Sequence, residues 1–207
     1  MAARGWPATL VGGRVGVRPL RLRDAEAWSE LRVRNEAWLT PWEGRSPELH
    51  RTGPAWTERH SPGAFVAMHR AMRKESRVGR SLPFGVTWDG RLCGQVTVAN
   101  VVRGAFESAT MGYWVDGDLA GRGITPTAVA LVADHCFSEV GLHRLEINVR
   151  PENAASRRVA VKLGFREEGL MKDYLFIDGA WRDHVGYALT APEAEDGLLA
   201  RVGRHTG

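Results

Sequence analysis

Two cysteines in 207 residues are too few for a disulfide framework, and no CxxC pair or Cys/His cluster is present to suggest a metal site. Cys93 and Cys136 each lie in an apolar run, Leu92-Cys-Gly94 and His135-Cys-Phe137, and read as buried free thiols in a reducing compartment. Long apolar runs are missing too, since none approaches the roughly 18 residues of a membrane span. Met1 to Trp6 lacks the apolar core of a signal peptide, so the expected location is the cytoplasm. Nor is there an internal repeat, a low-complexity segment or a large excess of one charge. The 28 Lys and Arg against 24 Asp and Glu leave a net +4. That mildly basic balance suits an anionic cofactor, an association with ribosomes or RNA, or plain surface solubility.

What is there is a globular composition, 43% hydrophobic and 25% charged, on a length that fills one core. Gly16 to Leu20 reads as a strand, and Ala25 to Glu36 as a helix with Trp28, Leu31 and Val33 on its stripe. Residues 38 to 63 mix Trp, Pro, Gly and charge without a period, which predicts a long binding loop. Ala64 to Glu75 places Phe65, Met68 and Met72 on one helical face. Leu82 to Trp88 and Arg91 to Val102 flank Asp89-Gly90, a hairpin signal, and Ala109 to Val115 is a further strand. A helix begins near Thr125 and ends before Gly141. Leu145 to Val149 alternates as a strand does, and Asn153 caps a helix that reaches Gly164. Glu168 to Ile177 and Trp181 to Leu189 form a last hairpin around Asp178-Gly179. Residues 1–190 are therefore expected to form one mixed α/β domain, with 191–207 a frayed tail.

The richest stretch is Leu119-Ala-Gly-Arg-Gly-Ile-Thr-Pro-Thr127. Thr125 reads as an N-cap and Pro126 as the first helical residue, where a missing N–H costs nothing. First-turn N–H groups have no partners within their helix and sit at the positive end of its dipole, a ready anion site. Gly121 and Gly123 let a bulky anion approach the backbone. One helix and one strand further on stand Arg150-Pro-Glu-Asn-Ala-Ala-Ser156 and Lys162-Leu-Gly-Phe165.

Over residues 14 to 190 this order resembles the Gcn5-related N-acetyltransferases (GNAT), and more narrowly the RimJ/RimL group that acetylates N-terminal residues of ribosomal proteins. Ala120-Gly-Arg-Gly-Ile-Thr125 stands where that family has (Gln/Arg)-x-x-Gly-x-(Gly/Ala), departing at Ala120 and Thr125. The segments Arg34-Asn-Glu-Ala-Trp-Leu-Thr-Pro-Trp-Glu43, Asn100-Val-Val-Arg-Gly-Ala-Phe106 and Lys172 to His184 resemble the group's substrate-side segment, strand turn and last hairpin. The fold implied is a mixed central sheet of about six or seven strands flanked by about four helices.

The resemblance also implies acetyl-CoA as co-substrate and no metal. Its pyrophosphate would meet Gly121, Arg122, Gly123, Ile124, Thr125 and Thr127, its acetyl carbonyl the backbone of Trp114 and Val115, and its pantetheine arm Asn153. Direct transfer to an amine needs no covalent enzyme intermediate, but it does need a free amine, donors for the oxyanion and a proton for the departing thiolate. Ser156 is implied as that proton donor, although some family members use a tyrosine; on residue type alone it is an ordinary first-turn serine. For the base, Glu107, Tyr174 and water stay open, and Glu107 reads equally as a solvated turn residue. Trp38, Trp42 and Glu43 either line the acceptor site or cover the core. His143 and His184 read as core or edge residues. The acceptor is expected to be a protein N-terminus, with ribosomal proteins in view, or a small amine; nucleic acid would enter only indirectly, through the ribosome. A non-catalytic acyl-CoA or RNA-binding module is the other class of reading, and monomer and homodimer both stay open.

Overall fold

The computed structural model describes residues 3–203. In chain order the elements are β1 (Leu10–Gly12), β2 (Val15–Pro19), α1 (Ala25–Arg34), α2 (Glu36–Leu39), α3 (Pro47–Thr52), α4 (Trp56–Arg59) and α5 (Pro62–Arg77). Three strands follow, β3 (Leu82–Trp88), β4 (Arg91–Val102) and β5 (Ser108–Val115), and then α6 (Ile124–His135). The chain continues through β6 (Arg144–Val149), α7 (Ala154–Lys162), β7 (Arg166–Ile177), β8 (Ala180–Thr190) and α8 (Leu198–Gly203). All eight strands form one sheet in the order β1-β2-β3-β4-β5-β6-β8-β7, every neighbour antiparallel except β5 and β6.

The hairpins form where the sequence placed them because Asp89-Gly90 and Asp178-Gly179 both take positive φ, at 49° and 79° and at 48° and 78°. Those angles belong to the turn whose twist matches that of paired strands. One strand and several helices exceed the count expected from sequence. β1 is three residues long, too short to show alternation, and α2 to α4 subdivide the 38–63 segment into single turns.

α6 is buried nearly all round, with Ile124, Ala128, Val129, Ala130, Val132 and Ala133 almost without exposure, as expected of a helix enclosed by the core. It packs against β1, β2, β5, α7 and α8. On the other side of the sheet α1 and α5 lie over β4 and β3, closing a smaller cluster of Leu20, Trp28 and Phe65. Both cysteines are free and buried, and burial pushes each thiol up to about 12.

The tail differs from the expectation of fraying. Leu198 is fully buried, and Asp134 of α6 caps α8 by accepting the N–H groups of Leu198 (2.7 Å) and Leu199 (3.1 Å). A cap supplied from 64 residues away leaves no local signature. The end of the predicted tail, 204–207, lies outside the described residues.

Candidate active site

β5 and β6 pair only through Ser108–Arg144, Ala109–Leu145 and Thr110–Glu146. Past Thr110 the strands part, while β6 keeps its pairing with β8 through Val149. A cleft of about 830 Å³ opens at this parting. Side chains alternate along a strand, so β5 serves both faces of the sheet: Tyr113 and Val115 pack with the α6 core, and Trp114 with the α1–α5 cluster. The opening thus runs from one face of the sheet to the other.

On the α6 side the Gly-rich turn forms the floor. Gly121 and Gly123 hold φ of 79° and 76°, a conformation that favours glycine, and a Cβ on either would meet nothing within 4 Å. Gly123 is the N-cap, so the helix begins two residues earlier than expected, with Thr125 and Pro126 inside its first turn. The hydroxyl of Thr127 donates back to Gly123 O at 2.8 Å, which turns it inward, and Arg122 is exposed. The open floor and the unpaired first-turn N–H groups fit a pyrophosphate. Arg158 and Lys162 of α7 line the same cleft and add positive charge.

Facing the turn, Asn153 caps α7 by accepting the Ser156 N–H at 3.0 Å. The Ser156 hydroxyl lies 2.8 Å from the phenol oxygen of Tyr113. Burial pushes the phenol up to about 12, against the lowering effect of the Ser156 hydrogen bond. Tyr113 was passed over in the sequence although it sits inside Gly112-Tyr-Trp-Val115; strand alternation already set it on the opposite face from Trp114.

On the α1 side the Trp38 indole donates to Val115 O at 3.1 Å, and the Arg150 guanidinium lies over the Trp42 ring at 5.4 Å while donating to Pro41 O at 2.7 Å. Glu43 lines the cleft, paired with Arg32 and, at 2.5 Å, with Arg59. Arg32 itself is buried over the rings of Trp28, Trp56 and Trp114, and burial, followed by the charge of Arg59, lowers it to about 9. His60, behind it, is driven down to about 3 by burial and then by Arg32 and Arg59. It is therefore neutral, with Nδ1–H donating to Trp56 O and Nε2 accepting from Arg32, each at 2.9 Å. Arg32 carried no sequence signal beyond its place among scattered tryptophans.

Four sequence candidates lie outside the cleft lining, Arg122 and Thr127 at the turn itself and Glu107 and Tyr174 farther off. Glu107 stands at the other end of β5, about 23 Å along the strand from Trp114 at strand spacing. Its carboxylate closes its own turn through Arg103 (2.9 Å) and the Gly104 N–H (3.0 Å), and the Arg103 bond holds it below the usual range. It is a turn residue here, and the base role considered for it has no support in this geometry. Tyr174, on β7, accepts from Asn148 at 3.0 Å with its ring against His184, so it reaches the parted stretch of β6 from outside. Among the described residues no group of three or more His, Cys, Asp or Glu side chains could hold a metal ion.

The family model described as an acetyltransferase (GNAT) domain matches residues 14–166. The chain belongs to the GNAT acetyltransferase family. Among curated GNAT relatives, it is 32% identical over 186 residues to the [ribosomal protein uS5]-alanine N-acetyltransferase of Escherichia coli, covering 89% of this chain and 91% of that protein. Among solved GNAT structures it is similar to Mycobacterium smegmatis RimJ in complex with CoA-disulfide, at 45% identity and a TM-score of 0.91 over 97% of this chain and 95% of that one. The ribosomal-protein-S5-alanine acetyltransferase of Vibrio fischeri matches at 27% identity and a TM-score of 0.79, covering 89% and 97%. The protein is an acetyl-CoA-dependent N-acetyltransferase of RimJ/RimL type.

Proposed function

We propose that this enzyme acetylates the N-terminal α-amine of a protein, with ribosomal proteins as the acceptor class and the cytoplasm as its place of action. One observation carries the reading. The strands part directly over the Gly-rich turn, so a single cleft leads from an anion site, past the Tyr113–Ser156 pair, to a wall of Trp38 and Trp42. The E. coli and M. smegmatis relatives support the acceptor class by their own names.

Acetyl-CoA supplies the activated thioester. Backbone N–H groups from Gly121 to Thr125 would hold its pyrophosphate, with Arg158 and Lys162 adding charge. Trp114 and Val115 border the parted strands. The Asp116 N–H turns to Cys93 O of β4, so by strand alternation the Trp114 N–H faces β4 as well and the Val115 N–H faces the gap, where it would meet the acetyl carbonyl. Asn153 fixes the first turn of α7 and so fixes Ser156, which would give its proton to the departing sulfur. Trp38 and Trp42 would wall the acceptor, and Glu43 would set the charge at its edge. An α-amine has an unperturbed pKa of about 7.7 to 8.0, so a useful neutral fraction exists without a dedicated base, and water suffices.

Mass spectrometry after incubation with acetyl-CoA and a mixed panel of N-terminal ribosomal peptides and small amines tests the acceptor. Acetyl on the peptide α-nitrogen is the expected result. Acetylation confined to small amines would overturn the acceptor class, and binding of acetyl-CoA without any turnover would overturn transfer.

A further inference from the structure

We infer that Tyr113 is a positioning residue for Ser156, holding the serine hydroxyl so that its proton is aimed into the cleft. This rests on the reading of Ser156 as the proton donor.

The two residues come from different elements, 43 positions apart, and meet across the parted strands. Tyr113 Oη lies 2.8 Å from Ser156 Oγ and 3.3 Å from the Ser156 carbonyl oxygen. The Ser156 N–H is taken by Asn153 Oδ1. The serine is thus held at its nitrogen by Asn153, with one phenol in reach of both its hydroxyl and its carbonyl oxygen. A serine hydroxyl otherwise swings among three staggered side-chain positions, and its proton rotates freely in each.

The phenol has one proton to give. Donated along the shorter contact, it fills a lone pair on Oγ and leaves the serine's own proton free for the cleft. Burial keeps Tyr113 protonated throughout the working range, so it stays a donor. Among the described residues the phenol oxygen bonds to Ser156 and to no charged group.

In the transfer, the amine nitrogen forms the new C–N bond and the C–S bond breaks with its electron pair on sulfur. The Ser156 Oγ proton passes to sulfur to give the free thiol, while the Tyr113 phenol keeps its own proton and goes on donating to Oγ. The new amide nitrogen releases its extra proton to solvent, and Oγ recovers one from solvent in the cleft. Atoms and charge balance without another reactant.

The test is a double-mutant cycle on the full chain with acetyl-CoA and a free-amine peptide from the panel that the enzyme acetylates. S156A is expected to lower kcat by about 100-fold and Y113F by about 10-fold, each leaving the KM for acetyl-CoA within about two-fold. The double variant should be no slower than S156A alone. Wild-type kcat in Y113F, or a double variant slowed by the product of the two losses, overturns the coupling. Full activity in S156A overturns the proton-donor reading itself, a separate outcome. Should Y113F melt well below wild type, 3-fluorotyrosine at position 113 keeps shape and hydrogen bond with a more acidic phenol. It is expected to retain kcat within about two-fold, and a loss of about ten-fold or more overturns the proposal.

Discussion

The indole N–H of Trp38 and the carbonyl oxygen of Val115 lie 3.1 Å apart, so one hydrogen bond ties the proposed acceptor wall to the strand that borders the cleft. Trp38 is 42% exposed, and packing alone does not hold it. Asn35 reinforces the junction, donating to Asp116 and accepting from the Gly117 N–H, each at 2.9 Å. Trp38→Phe keeps a ring and removes the tether. A neutral hydrogen bond is worth about 1 kcal/mol, so the KM for the peptide acceptor should rise roughly five-fold while that for acetyl-CoA holds. Steady-state kinetics with each substrate varied in turn reads both.

Gly123 sits at φ +76° with open space where a Cβ would go, so substitution acts through the backbone alone. Gly123→Ala should cost about 1 to 2 kcal/mol as left-handed strain. Relaxation of the turn would move the first N–H groups of α6, so acetyl-CoA affinity should fall as well. Calorimetric titration checks the affinity, and an affinity equal to wild type would remove the turn from the binding site.

His60 gives the enzyme a pH-sensitive element on the acceptor side. Its folded-state pKa of about 3 lies below the usual 6.5, so the unfolded chain binds the extra proton between those values. The stability it contributes is complete above pH 6.5 and is lost as pH falls toward 3, by at most about 1.4 kcal/mol per pH unit. His60→Gln should flatten the dependence, narrowing the loss between pH 7 and 5.5 by about 1 kcal/mol. Urea titrations of both proteins at the two pH values measure it, and parallel declines would assign the sensitivity elsewhere.

Glu43 sits between two arginines, one buried over three tryptophan rings and one partly buried. Glu43→Gln leaves Arg32 and Arg59 facing each other without the carboxylate. Breaking a buried pair by removing one partner costs about 3 kcal/mol. A large drop in melting temperature is expected, and a change of less than a degree would mean that solvent already screens the cluster.

The hairpins, α7 and its cap were legible in the sequence because each rests on local chemistry: two Asp-Gly turns, and one asparagine three residues before a serine. The Gly-rich turn was legible in kind but not in phase. Thr125 is a good capping type, yet Gly123 takes the left-handed position and starts the helix first. Glu107 failed as a base candidate because its partners, Arg103 and Gly104, hold it in its own turn at the strand's far end. The Tyr113–Ser156 contact, the stacking around Arg32 and the Asp134 cap join distant segments, and no spacing rule announces them.

The Lys162-Leu-Gly-Phe165 stretch acquires a purpose from the docked tail. Gly164 takes φ +84°, and a Cβ there would collide with the guanidinium of Arg201, which donates to Leu163 O at 2.8 Å and so closes the carbonyl end of α7. The opposite end of that nine-residue helix carries Asn153 and Ser156. Arg201 of α8 is therefore a brace on the helix that carries the proposed proton donor. An affinity handle or a protease cut placed after β8 is not a neutral choice of laboratory convenience, because under the proposed role of Ser156 it would act on the turnover number through a rod anchored at both ends.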